Sequence, residues 1–241
     1  MINKLRILLL ALVLSACTGG NFSELQLASA RGQTDMVAVM LDKGADINEY
    51  NRHGKTSLMM AAGNGHTETV KLLLERGAAI NAKDVDGMTA LMMAASSGEA
   101  DVVAVLIEHG ADVNVINTYN SSAVTNAAFF NQVPTLVELL KSKTRIDSNS
   151  AETALLIAAG LGNAEVVKLL LDYGVDVNAR GKNGRTPLMA SVEFGHLPTV
   201  KLLLEHKADP KARDTDGDSV MRIAEGNGNT EIISLVKKFG G

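Results

Sequence analysis

A 33-residue beat governs this chain. The segment Gly54-Lys-Thr-Ser-Leu-Met-Met-Ala-Ala-Gly-Asn-Gly returns as Gly87-Met-Thr-Ala-Leu-Met-Met-Ala-Ala-Ser-Ser-Gly, and starts again at Gly184-Arg-Thr-Pro-Leu-Met and at Gly217. A unit this short cannot bury its own apolar face, so successive copies must stack on one another. Composition agrees: 46% of the residues are hydrophobic but only 3% are aromatic, and Trp is absent. Ala, Leu, Val and Met suit the tight contacts of short stacked helices, whereas sheet-rich folds draw on aromatic and β-branched residues.

Within one unit the residue types follow from local physics. Thr56, Thr89, Thr153 and Thr186 stand where a first helix starts, with hydroxyls able to accept from its unpaired N–H groups. The Ala pairs 61–62, 94–95, 127–128 and 158–159 allow that helix to approach its neighbours closely. Gly65, Gly98, Gly162 and Gly195 turn the chain into a second helix carrying Val and Leu at core spacing. Pro134 and Pro198 sit in its first turn, where a missing N–H is harmless. Gly44, Gly77, Gly110 and Gly174 close it.

These motifs resemble the ankyrin repeat family, whose unit runs G-x-T-P-L-H-x-A-A-x-x-G-H, then an apolar helix, then L-L-x-x-G-A-D-V-N. The second half is plain in Val70-Lys-Leu-Leu-Leu-Glu-Arg-Gly-Ala-Ala-Ile-Asn81 and recurs at 103–114, 167–178 and 200–211. The resemblance implies an all-α repeat solenoid of about seven units, each a helix–turn–helix with a projecting β-turn finger. The units open near residues 21, 54, 87, 120, 151, 184 and 217 of a repeat domain spanning 21–241.

Departures from the pattern carry their own expectations. The family's His is replaced by Met59, Met92, Thr125, Leu156 and Met189, which shifts cohesion between repeats toward apolar packing. Lys143 and Lys207 stand where helix-ending glycines belong, and a left-handed Lys costs on the order of 1–2 kcal/mol. The fourth unit spans 31 residues, has Asn120 and Asn131 for its turn glycines, and has lost part of its finger in the segment 143–150. A local change of curvature is expected there. Glu24, Gln26 and Ser29 at one end, and Arg222, Glu225 and Lys237 at the other, read as polar outer faces of capping repeats.

The N-terminus is a separate object. Lys4 and Arg6 precede the apolar run 7–14, which is too short to span a bilayer and reads as a signal peptide covering residues 1–16. Leu14-Ser15-Ala16-Cys17 resembles the lipobox of bacterial lipoproteins, which implies lipidation of Cys17, the only Cys, with residues 17–20 as a short tether. A plain secretory signal cleaved after Ala16, or a simple N-terminal anchor, is the other reading. Thr18 after the Cys resembles the default route to the outer membrane, facing the periplasm. Loss of residues 1–16 removes two cations and no carboxylate, taking the net charge from −4 to −6. So acidic a body excludes a broad nucleic-acid-binding face and leaves the lipid as the expected membrane contact.

Catalytic signals are weak. Of the five His residues (His53, His66, His109, His196, His206), His66 and His196 share one column of the repeat and His109 and His206 another, both commonly polar in the ankyrin family, and no metalloprotease, nucleophile-elbow or phosphate-loop motif is present. Asp84-Val-Asp86-Gly87 and Asp214-Thr-Asp216-Gly217-Asp218 lack the ligand spacing of a calcium loop, and Gly226-Asn-Gly228 reads as a turn. No cofactor, metal or small-molecule substrate is expected. In ankyrin proteins the finger tips and the exposed side of the first helix form the binding face. Those columns here select Tyr50, Arg52, Val85, Met88, Ile116, Tyr119, Phe129, Phe130, Leu161, Arg180, Arg185 and Phe194. Five of the chain's eight aromatics are among them, and aromatics beside Arg are what interface hot spots use. Phe129 and Phe130 have a second reading as space-fillers of the irregular unit. The expectation is a non-catalytic scaffold, lipid-anchored in the envelope, that binds another protein. The rivals are an immunity protein occluding a toxic enzyme and a secreted effector.

Overall fold

The structure, a computed structural model, describes residues 22–240. Among these the chain forms fourteen α-helices, with no strand beyond one isolated bridge between Arg213 and Ser219. Two compact units are present, one ending at Ala123 and one beginning at Val124.

The first unit contains α1 (Glu24–Ala30), α2 (Thr34–Asp42), α3 (Ser57–Gly63), α4 (Thr67–Glu75), α5 (Ala90–Ser97) and α6 (Ala100–Glu108). Each first helix starts at a hydroxyl: Ser23, Thr56 and Thr89 accept from the N–H of Gln26, Met59 and Met92. First helices pack in a row, α1 on α3 on α5, and second helices in another, α2 on α4 on α6. The Ala61, Ala62, Ala94 and Ala95 side chains vanish into the first row, beside Leu58, Met59, Leu91 and Met92. His66 Nε2 lies 2.9 Å from Ala30 O and stitches adjacent turns.

The second unit contains α7 (Ala123–Phe129, all but its first residue), α8 (Val133–Leu140), α9 (Ser148–Leu161), α10 (Ala164–Tyr173), α11 (Pro187–Glu193), α12 (Leu197–Glu205), α13 (Val220–Asn227) and α14 (Thr230–Gly240). The same two rows recur, α9–α11–α13 and α8–α10–α12–α14.

Three sequence expectations need correction. Thr153 does not start a helix: α9 runs for 14 residues from a cap at Asp147, whose carboxylate accepts from Ser150 N at 2.9 Å. The connection from α8 to α9 covers only residues 141–147, too few for a finger, so the chain goes straight into helix. Lys143 is not left-handed, because α8 ends at Leu140 with its cap residue Lys141 still right-handed, while Lys207 is held at φ +67° as expected. Gln26 and Ser29 do not face solvent. Both are fully buried, and Gln26 Nε2 donates to Glu49 O (3.0 Å) and Lys55 O (3.1 Å), tying the first repeat to the next finger. Arg222, Glu225 and Lys237 at the other end are exposed as expected.

Candidate protein-binding surfaces

Fingers in the first unit are folded by their own side chains. Asn51 Oδ1 accepts from His53 N and Lys55 N, Asp84 Oδ1 from Asp86 N and Met88 N, and Asn117 Oδ1 from Tyr119 N and Ser121 N, all at 2.8–3.0 Å. The acidic turn of the second unit does the same: Asp214 Oδ1 accepts from Asp216 N and Asp218 N. The Asp84 and Asp214 carboxylates are therefore spent on backbone geometry. Adjacent fingers are also zipped, with Val85 N donating to His53 O (3.2 Å) and Thr118 N to Asp86 O (3.0 Å). Gly54 makes this approach possible: at φ +73° a Cβ would lie 2.8 Å from Val85 N.

This rigid edge holds apolar groups in water. Tyr50, Val85 and Ile116 are exposed, and Tyr119 is 72% exposed, its hydroxyl donating to Asp86 Oδ1 at 3.2 Å. Arg52 is exposed beside His53, and Met88 is half-buried with its sulfur accepting from Asn117 Nδ2. Met88 also lines a groove of ≈ 290 Å³ with Met60 and Met93, two half-buried residues that the finger columns did not select. A repeated Met-Met pair in the first helix was their only sequence signal.

In the second unit Phe129 and Phe130 are both exposed, edge to face with centroids 5.0 Å apart, so neither fills the interior. Leu161 and Phe194 are exposed as well. Arg180 Nη1 donates to Gly184 O and Arg213 O, each at 2.9 Å. Arg185 is less available than expected, since its side chain pairs with Glu193 and lies 3.6 Å from Asp214. Of the eleven large hydrophobic residues exposed among the described residues, eight belong to the twelve selected from sequence. The others, Phe22, Tyr173 and Phe239, lie outside the family's binding columns. Tyr173 borders a cleft of ≈ 420 Å³ where the finger is missing, and its hydroxyl accepts from Ile146 N. Cys17 lies outside the described residues.

Three further histidines are, like His66, engaged with backbone: His196 Nε2 with Gly160 O (2.9 Å), and His109 and His206 through Nδ1 with the carbonyl one turn back (2.8 Å), whereas the His53 ring accepts from Arg52 Nε (3.0 Å). Among the described residues no three His, Cys, Asp or Glu gather as a metal site, and no helix is long and apolar enough to cross a membrane. Among the described residues the one clear pKa displacement is at Lys71. It is raised above its ordinary 10.5, chiefly by a 2.9 Å hydrogen bond to Glu68 and that carboxylate's charge, with Glu108 and Glu75 adding to the field.

The family model described as ankyrin repeats in three copies matches residues 25–117 and again 124–214, and the chain belongs to that family. Ankyrin repeat domains are protein-binding modules. Among solved structures it is similar to the human ASB11 ankyrin repeat domain, with 27% identity and a TM-score of 0.80 over 91% of this chain and 99% of that one. No curated protein matches the sequence.

Proposed function

We propose that this protein is a non-catalytic binding scaffold, held to the bacterial envelope by lipid on Cys17 and docking an envelope or periplasmic protein through its finger tips and first-helix ends. The observation that carries the reading is the placement of apolar side chains. In a chain with few aromatics, most of the exposed large hydrophobics fall on the columns ankyrin domains use for partners. Monomeric proteins rarely leave such groups together in water without a use. Anchoring is supported by the Leu14-Ser15-Ala16-Cys17 segment and the short tether, which keeps the first repeat near the bilayer. The mechanism is recognition by shape on a rigid surface, with no bond chemistry.

Two measurements test this. Crosslinking in intact envelopes, with mass-spectrometric identification, should recover one dominant partner, and Tyr119→Ala should weaken its binding at least about tenfold with helicity unchanged. Undiminished affinity removes Tyr119 from the interface. Radiolabelled palmitate should enter the wild-type chain in a Gram-negative host but not Cys17→Ala; a Cys17→Ala chain that stays membrane-bound overturns the anchor.

A further inference from the structure

Neighbouring fingers are joined by one recurring pair of bonds. The fingers 78–88, 111–121 and 208–218 each meet two acceptors on the finger before. At the base, an Asn side chain takes the N–H: Asn48 Oδ1 accepts from Ala79 N (2.8 Å), Asn81 Oδ1 from Asp112 N (3.0 Å) and Asn178 Oδ1 from Asp209 N (2.8 Å). At the tip, the carbonyl five residues beyond that Asn accepts. His53 O pairs with Val85 N, Asp86 O with Thr118 N and Asn183 O with Thr215 N, at 2.9–3.2 Å.

The finger 175–185 breaks this series. Its base and tip donors are Asp176 N and Lys182 N, and among the described residues neither has an acceptor. Aligning Lys143-Thr-Arg-Ile-Asp147 with Gly110-Ala-Asp-Val-Asn114 puts Asp147 in the Asn column ahead of it. The Asp147 carboxylate accepts from Ser150 N instead, at the start of α9, and no finger follows. The first finger, 45–55, also has none ahead of it, but it stands at the end of a row. The finger 175–185 lies within the second unit, behind α8 and α9.

Beside these donors lies the cleft of ≈ 420 Å³, lined by Arg145, Ser148, Glu152, Tyr173 and Asp176 among others. Its size falls in the range of pockets that take a ligand. Its two walls are tied to each other, because Ile146 N donates to the Tyr173 hydroxyl at 3.3 Å. An acceptor reaching Asp176 N therefore enters a preformed space.

We infer that this cleft is a socket for a finger-shaped turn of the partner protein. The partner's Asn enters it to accept from Asp176 N, and the carbonyl five residues later accepts from Lys182 N. The occupant is read from the chain itself, since three of its own fingers meet the same two donors with that pair. The inference rests on the protein-binding reading above and names the chemistry of the contact.

It is tested by titrating the ¹⁵N-labelled full chain with a cyclised peptide copying residues 79–90, which holds Asn81 and Asp86. In NMR spectra the Asp176 and Lys182 amide protons should move downfield along one saturable isotherm. The same peptide with Asn81→Leu should bind about fivefold more weakly or worse. Gly181 is extended (φ −77°, ψ −169°) and accepts a following Pro. Lys182→Pro, which deletes the tip donor, should weaken binding about three- to tenfold, and Lys182→Ala, which keeps it, by less than about twofold. Ser148→Phe, which fills the cleft, should abolish binding, whereas Asn149→Phe on the neighbouring exposed residue should not. Circular dichroism establishes that each variant is folded. No saturable binding, or binding indifferent to Ser148→Phe, overturns the inference. Light scattering that shows dimers dissolved by Ser148→Phe overturns it in favour of a second copy of the chain. If the peptide fails while crosslinked partner capture still depends on Tyr119, the socket is refuted and the scaffold function stands.

Discussion

Gln26 and Ser29 share the buried side of α1, yet removing their polar groups is expected to shift stability in opposite directions. Gln26→Ala strips the donor from two carbonyls, Glu49 O and Lys55 O, and should cost about 1–3 kcal/mol. Ser29→Ala removes a hydroxyl that is buried with no partner among the described residues, and should be neutral or stabilising by up to about 1 kcal/mol. Urea unfolding of both variants reads the two signs; equal losses would mean that Ser29 has a partner. Both residues look like solvated cap positions in the sequence, since polarity alone does not reveal whether a side chain faces water or a neighbour's carbonyl. The legible clue was register: Gln26 stands in the column of Met59, Met92 and Met189, all fully buried, where the family keeps its loop-bridging His. By contrast, Lys207 reads correctly as left-handed, and Asn120 and Asn131, which stand for turn glycines, are left-handed as well, because the replaced glycines mark a backbone geometry that survives substitution.

At the level of helices the sequence is readable wherever the period is kept and misleading where it slips. Glu152-Thr153-Ala154-Leu155 mimics Lys55-Thr56-Ser57-Leu58, so Thr153 looks like a cap. What decides otherwise is the short connection after α8: with only residues 141–147 available, no finger forms, and Asp147, six residues before Thr153, caps the helix. Thr56→Ala should therefore cost about 1 kcal/mol, as should Asp147→Ala, while Thr153→Ala should change stability by less than about 0.5 kcal/mol. Thermal unfolding of the three variants separates cap from helix interior, and a Thr153→Ala loss matching that of Thr56→Ala would contradict the extended α9. The exposed side of the repeat was more legible than its ends, because fingers and first-helix tips follow the period. The Met60–Met93 groove and the Tyr173 cleft were not, since each depends on how two repeats meet.

Across the whole molecule, charge is divided unevenly between the two units. Over residues 22–123 there are 13 carboxylates and 7 Lys or Arg, a net −6, whereas residues 124–240 hold 14 of each. In the first unit the excess lies in columns along the second helices: Asp35, Glu68 and Asp101 near their starts, Asp42, Glu75 and Glu108 at their ends. Lys71 reports this field, and the sign follows from its raised pKa. Its contribution is complete below the ordinary value of 10.5 and fades as pH rises through the higher folded value, so Glu68→Gln should lower the Lys71 pKa, read by NMR titration of its side chain. If Glu68→Gln leaves that pKa unchanged, the Glu68 assignment fails. Salt extends the reasoning. Packed second helices set like charges about 8–10 Å apart, inside the screening length of roughly 30 Å at 0.01 M but comparable with the 8 Å at 0.15 M. Each neighbouring pair repels by about 0.4 kcal/mol in water. Raising salt from 0.01 to 0.15 M should therefore slow amide exchange in α2, α4 and α6 several-fold and leave α8, α10 and α12 nearly unchanged, because the second unit has no net charge to screen. Hydrogen–deuterium exchange with peptide-level mass spectrometry resolves the two sets of helices in one sample. An equal response in both would mean that the carboxylate columns of the first unit are already neutralised by their own cations, Lys71 and Arg76 foremost.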